Sequence, residues 1–324
     1  MIKIDSAQSR VRSNECLQQR IAYCAKTMRI TLCLAGIILT TVQLVKYFTY
    51  APEERGFASL VIGLALGISF LVLSIPPAIE KIAAKFAARI RTRSFAVYTY
   101  LSAIGLIVMF VSMKISLDYE SWRRISSEGG VSEYGTAIAY LLTSVFAYPI
   151  ARQFWRQNKK FLGFAYGFLT LAAFVVGMEE ISWGQRLIGF EEPQFWSEHN
   201  LQSEFTLHNL SFYQHNILNQ SFVAVGFVGS FSWLALRYWQ RKQSNKSNKI
   251  DWSYIFPDWS LSAFFYPVLL FYPIYLTVID DWDFLAHHDQ EHCEFVMSLG
   301  ILLFAIINFF RQAREISSKK ELET

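Results

Sequence analysis

The residues best suited to chemistry in this chain are histidines and carboxylates. They concentrate in two segments, one around His199 to His215 and the other around His287 to His292. All six histidines of the protein fall in these segments. In chain order they are His199, His208, His215, His287, His288 and His292. Acidic residues accompany them in both segments. Neutral imidazole with carboxylate is a ligand set that suits zinc, iron or manganese, and the same groups transfer protons near neutral pH.

The spacing of the histidines favours metal binding. His288 and His292 are four residues apart, so on a helix both side chains project from one face and can bind the same ion. The predicted metal ligands are His208, His215, His288 and His292. The predicted catalytic groups beside them are Glu180, Ser182, Asp281 and Glu291. A divalent metal such as zinc is the cofactor that this set suits.

Two of the acids point to a different chemistry. Glu180 follows a stripe at helical spacing that includes Ala173 and Gly177, and small residues allow helices to approach closely. Glu180 is therefore expected to face the inside of a helical bundle. Glu294 lies at the start of the last apolar run, where a carboxylate needs a partner or a wet cavity. Bundle-facing Glu180 and Glu294 would suit a proton- or cation-coupled transporter.

A third interpretation needs no chemistry. Polar side chains at the mouths of membrane helices commonly hydrogen-bond each other and line a water-filled vestibule. The two acidic segments would then serve a membrane scaffold or assembly protein as a docking surface.

The elements that must position these residues are apolar helices. The chain is 53% hydrophobic and 17% charged, whereas about 25% of residues are charged in typical soluble domains. Runs long enough to cross a membrane are predicted at 30–50, 57–78, 95–116, 135–151, 161–179, 217–237, 260–280 and 293–310. The sequence therefore predicts an all-α, polytopic transmembrane bundle of about eight spans. Trp122 and Trp183, near predicted span ends, are expected to anchor the bundle at the interface.

The orientation of the bundle follows from its basic residues. Of the 30 Lys and Arg residues, 24 lie before the first span, in alternate loops and after the last span. Basic segments remain on the cytoplasmic side, so both ends are expected inside and both histidine-bearing segments outside. The predicted organisation is a cytoplasmic tail at 1–28, an eight-span domain at 29–311 and a cytoplasmic tail at 312–324. The first tail is either an amphipathic helix on the membrane surface or a solvated, frayed segment.

The same charges indicate the partners. The basic cytoplasmic face is expected to attract anionic lipids of the surrounding bilayer. The formal net charge of +4 is a topology signal, and no nucleotide-binding or nucleic-acid-binding motif is present. No nucleic-acid partner is expected.

Two resemblances extend this interpretation. The stretch Glu-Glu-Ile-Ser-Trp-Gly-Gln-Arg at 179–186, with Leu-His-Asn at 207–209, resembles the central block of an uncharacterised family of bacterial multi-pass membrane proteins. That resemblance implies a bacterial inner-membrane location and no particular activity. The set His288, His292, Asp281 and Ser182 is loosely similar to the site of alkaline-ceramidase-like membrane hydrolases. That likeness implies a zinc-dependent hydrolase acting on a lipid or envelope substrate.

The sequence thus predicts a multi-pass membrane protein with an outward-facing site of histidine and carboxylate. A metal-dependent membrane hydrolase, a coupled transporter and a scaffold all remain open at this point.

Overall fold

The computed structural model describes most of the chain between residues 17 and 322. The described residues are 17–34, 36–37, 40–41, 44, 64, 67–69, 71–72, 74–90, 92–126, 130–185, 205–207, 218–242, 251–278 and 289–322. Every regular element among them is helical. The all-α prediction is confirmed for this part of the chain.

Among the described residues, nine helices can be followed over at least two turns. They are α1 (17–34), α2 (Pro76–Arg89), α3 (Arg93–Ser116), α4 (Tyr119–Ser126), α5 (Val131–Arg156), α6 (Lys160–Glu180), α7 (Asn219–Lys242), α8 (Tyr266–Val278) and α9 (Gln290–Leu322). Short 3₁₀ turns occupy Ser182–Gly184, Trp252–Tyr254 and Trp259–Phe264.

Five of these helices are long and apolar enough to cross a membrane. They are Arg93–Ser116, Val131–Arg156, Lys160–Glu180, Asn219–Arg241 and Gln290–Ile316, with mean hydropathy between 1.2 and 2.1. They correspond to the third, fourth, fifth, sixth and eighth predicted spans. The chain is therefore an integral membrane protein by the length and composition of its helices. The count of eight spans and the cytoplasmic placement of both ends stay predictions, since most of 30–50 and 57–73 lies outside the described residues.

The seventh predicted span, 260–280, differs from one continuous helix. A 3₁₀ turn at Trp259–Phe264 precedes α8, which is described over Tyr266–Val278. Pro267 and Pro273 explain part of this pattern. A proline is tolerated in the first turn of a helix, but within a helix it removes one backbone hydrogen bond.

The chain divides into two compact units. One contains Met1–Arg91 with Phe310–Thr324, and the other contains Thr92–Phe309. In the first unit, Arg20 Nη2 donates to Gln312 Oε1 at 3.0 Å, and Arg314 donates to the carbonyl of Ala87. These bonds tie α1 and α2 to the last turns of α9.

The second unit is packed through small residues. Gly177 on α6 lies so close to α5 that an added Cβ would be 3.1 Å from the carbonyl oxygen of Ala137. Gly226 on α7 is as tightly placed, with the backbone nitrogen of Leu269 at 2.9 Å from such a Cβ. Close backbone approach of this kind is the usual way in which membrane helices associate. It brings the polar ends of several helices together.

Candidate functional site

The second unit encloses a cavity at one end of its helices. The cavity has a volume of about 240 Å³ and is lined by the first turns of α5, α7 and α9, the last turns of α6, and the middle of α8. If successive spans run in opposite directions, these helix ends all lie on the same side of the membrane. From the loop charges, this side is predicted to be the outer one.

Carboxylates dominate the polar lining of the cavity. They are Glu133, Glu179, Glu180, Glu291 and Glu294. Glu133 and Glu291 lie in the first turns of α5 and α9, where the positive end of the helix dipole favours a negative charge. Glu291 and Glu294 are three residues apart on α9, so both project toward the cavity from one face.

Glu294 is held by a tyrosine. The hydroxyl of Tyr272 donates to Glu294 Oε1, and the Tyr272 ring stacks on Phe222 with 4.7 Å between centroids. Both Tyr272 and Phe222 line the cavity. The Glu294 carboxyl is thereby fixed in position between α8 and α9.

Glu180 and Asn219 differ from the other polar groups of the cavity. Asn219 is only 6% exposed, yet no hydrogen bond joins its amide to any described residue. The same holds for the Glu180 carboxyl among the described residues. Both side chains line the cavity without a hydrogen bond to a described residue, which leaves room there for water, an ion or a ligand. These two side chains therefore form the part of the cavity that is open to a bound species.

Glu179 has a structural role instead. Its carboxylate accepts from Trp183 Nε1 and from the backbone nitrogen of Leu207, each at 2.6 Å. The side chain of Gln185 accepts from the backbone nitrogen of Phe205 at 2.6 Å. Together they fix residues 205–207 against the end of α6.

The turn after α6 has an uncommon backbone. Ser182, Trp183 and Gly184 all have positive φ angles, of 49°, 52° and 83°. Such a conformation is costly for a residue with a Cβ and persists only where the surroundings enforce it. It directs the Ser182 side chain into the interior, where Ser182 is fully buried and does not line the cavity.

His292 lies on another face of α9, away from Glu291 and Glu294. A hydrogen bond of 2.5 Å joins its Nδ1 to Ser132 Oγ, and its ring stacks on Phe110 at 4.4 Å. Its Nε2 is buried, with no hydrogen-bond partner among the described residues. His292 instead lines a smaller, apolar cavity of about 130 Å³.

A charge pair lies at the same small cavity as His292. Asp289 pairs with Lys114 of α3 and accepts from Trp122 Nε1 at 3.0 Å. Trp122 is 5% exposed and contacts the His292 ring, with 4.6 Å between centroids. The interfacial anchoring predicted for Trp122 is thus not what the structure shows, because the indole is buried against His292 and Asp289.

The predicted site residues therefore divide into three groups. Glu180 and Glu291 line the carboxylate cavity, whereas Ser182 and His292 lie elsewhere. His208, His215, Asp281 and His288 fall outside the described residues, so their roles stay predictions. Within the described ranges, no group of three His, Cys, Asp or Glu side chains is arranged to hold a metal ion.

Glu133 and two tyrosines, Tyr140 and Tyr272, line the cavity but are not among the residues predicted from the sequence. Glu133 could have been found from its place two residues before a predicted span, which puts an acid at the mouth of a helix. Nothing in the local sequence marks the two tyrosines.

Comparison with known proteins adds no family. No protein-family model matches the chain, and neither does any curated protein or solved structure. The resemblances of the Glu-Glu block and of the histidine set stay predictions. What the geometry identifies is a helical membrane protein whose carboxylate-lined cavity is its candidate functional site.

Proposed function

We propose that this protein is a proton- or cation-coupled transporter that binds its protons or cations in the carboxylate cavity. Glu180 and Glu294 are the groups that exchange them. The observation that carries the proposal is the convergence of carboxylates from α5, α6 and α9 on one cavity of about 240 Å³. Ionisable side chains inside a membrane protein typically mark the pathway of a proton, ion or substrate.

Electrostatics supports a cationic occupant. Several carboxylates around so small a volume cannot all be ionised without strong mutual repulsion. A bound cation or bound protons relieve the repulsion, and the two compete for the same groups. This competition is the coupling that a proton-linked carrier needs.

The two central acids are differently held, which supports distinct roles. Glu294 has a fixed position through the hydroxyl of Tyr272. Glu180 has no hydrogen bond to a described residue and lines the same cavity as Asn219. We assign proton exchange to Glu180 and cation binding to Glu294 with Asn219.

The metal-dependent hydrolase and the scaffold are less well supported by this geometry. His292, the one predicted metal ligand within the described residues, lines a different cavity from Glu180 and Glu291. The hydrolase stays a prediction that rests on residues outside the described ranges. Its check is the metal content of the purified protein, which should be near one equivalent if the predicted histidines bind zinc.

The transport proposal is tested by flux in proteoliposomes that contain a pH-sensitive dye. Imposed gradients of protons, Na⁺ or K⁺ should produce a flux above that of empty liposomes. Glu180→Gln and Glu294→Gln each remove one charge at nearly constant volume and should lower the flux at least about tenfold, as for loss of an essential group. Glu315→Gln is the matched control, because Glu315 lies outside the cavity and pairs with Arg311.

Two outcomes would overturn the proposal. One is a wild-type flux no greater than that of empty liposomes under all three gradients. The other is a wild-type flux that both cavity variants retain in full.

A further inference from the structure

We propose that the first unit contains a binding site for the phosphate of an anionic phospholipid, formed by Lys26 and Arg29 of α1. The site is an open groove of about 440 Å³ between α1 and the start of α2. It belongs to a different unit from the carboxylate cavity and does not depend on the proposed transport.

The groove follows one face of α1. Its lining residues on that helix are Ala22, Ala25, Lys26, Arg29, Ile30 and Cys33. Their spacing of three and one residues is that of a single helical face. The small side chains of Ala22 and Ala25 leave the open volume, and the two cations border it.

Arg29 is oriented by the opposite wall. Its Nε donates to the backbone carbonyl of Ser74 at 3.3 Å. The remaining guanidinium donors make no hydrogen bond or ion pair with a described residue. A guanidinium held in this way can present two parallel donors to a phosphate.

Lys26 supplies a second charge beside it. Lys26 is exposed and has no ion pair within the described part of the chain. Glu80 also lines the groove but is not bonded to either cation. The three side chains leave a net positive charge, which favours an anionic headgroup over a zwitterionic one.

The position along the chain suits a lipid. Lys26 and Arg29 directly precede the first predicted span, whereas Ile30 and Cys33 lie within it. Ser74 lies near the end of the second predicted span. A groove that is basic at one end and apolar at the other matches a headgroup followed by its acyl chains.

The neighbouring helix adds to the interfacial character of the site. On α2, Ile79, Ala83 and Ala87 are buried at spacings of four, while Lys81 and Lys85 are exposed. Because the apolar face of α2 is buried in the protein, its exposed lysines add positive charge near the groove, which favours anionic lipid.

The test is native mass spectrometry of the purified full chain after incubation with lipid. The probes are phosphatidylglycerol, phosphatidylcholine and inorganic phosphate. Phosphatidylglycerol should remain bound, phosphatidylcholine should bind more weakly, and inorganic phosphate should not displace the lipid. Displacement by phosphate would overturn the lipid assignment, and so would equal binding of the two lipids.

Variants separate the groove from general surface charge. Lys26→Gln should weaken phosphatidylglycerol binding about fivefold, the effect expected for one basic residue near an anionic lipid. Glu80→Gln should strengthen binding, because it removes a repulsive charge from the groove. Lys85→Gln removes the same charge from α2 outside the groove and should change binding less than about twofold.

Equal losses in Lys26→Gln and Lys85→Gln would show that the basic surface acts as a whole and would overturn the site. Weaker binding in Glu80→Gln would do the same, since it would indicate recognition of a zwitterion. Because Lys26 is exposed and has no described partner, the folded state should survive its replacement. The thermal unfolding curve of each variant checks this.

Discussion

Breaking the Lys114–Asp289 pair should destabilise the second unit strongly, because both charges are largely removed from solvent. The side chains of Lys114 and Asp289 are 15% and 9% exposed. Removing one partner of a buried pair leaves the other charge uncompensated and typically costs about 3 to 5 kcal/mol. For Asp289→Asn we expect about 3 kcal/mol, the lower end of that range, since the new amide oxygen can still accept from Trp122 Nε1.

The opposite single variant should behave similarly, and the double variant should not. Lys114→Met removes the cationic partner of the Asp289 carboxylate, which still accepts from Trp122 Nε1, and it should also cost about 3 kcal/mol. The double variant Lys114→Met with Asp289→Asn buries no charge, and such replacements are often close to neutral, within about 1 kcal/mol. The coupling energy of this cycle should therefore exceed about 2 kcal/mol.

The assay is unfolding in mixed micelles by titration with SDS, followed by tryptophan fluorescence. The control is Glu315→Gln, which breaks the pair of Arg311 Nε and Glu315 Oε1 at 3.0 Å. Its side chains are 24% and 35% exposed, so the loss should stay below about 0.5 kcal/mol. Single-variant losses below about 1 kcal/mol that simply add in the double variant would refute the reasoning.

Two further predictions concern packing and reactivity. Gly177→Ala should destabilise the protein by about 1 to 3 kcal/mol in the same assay, because its Cβ would lie 2.9 Å from Leu141 Cγ. Gly167→Ala on the same helix meets nothing within 4 Å and should be neutral or stabilising by up to about 1 kcal/mol, so equal losses in the two variants would contradict the packing argument. Burial raises the pKa of the Cys24 thiol to about 11, so its alkylation rate in a variant that keeps Cys24 alone should still increase tenfold per pH unit above pH 9. A rate that levels off near pH 9 would show that the thiol is not buried in solution.

The lining of the carboxylate cavity was predictable only in part. The stripe of Ala173 and Gly177 correctly indicated that Glu180 faces the bundle, since both stripe residues are buried. Glu294 was expected to need a partner, and Tyr272 provides it. That partner could not be predicted, because residues 22 positions apart meet only when α8 and α9 are packed together.

The separation of His292 from the carboxylates was also beyond the sequence. His292 and Glu291 are adjacent in the chain, and both were predicted to serve one site. On α9 they point in different directions, about 100° apart, so packing with α3 on one side and α6 on the other divides them between two cavities. The short helix α4, which buries Trp122 against His292, has no hydropathy signal of its own.

The sequence by itself determined that this is a helical membrane protein, because apolar runs of about 20 residues must form helices that satisfy their own backbone hydrogen bonds in lipid. Local composition was also enough to place five of the spans. Only the tertiary structure decided which acids share a cavity and which polar groups form hydrogen bonds or ion pairs outside it. Those outcomes depend on which helix faces meet, and close approach at Gly177 and Gly226 sets those faces through contacts distant in sequence.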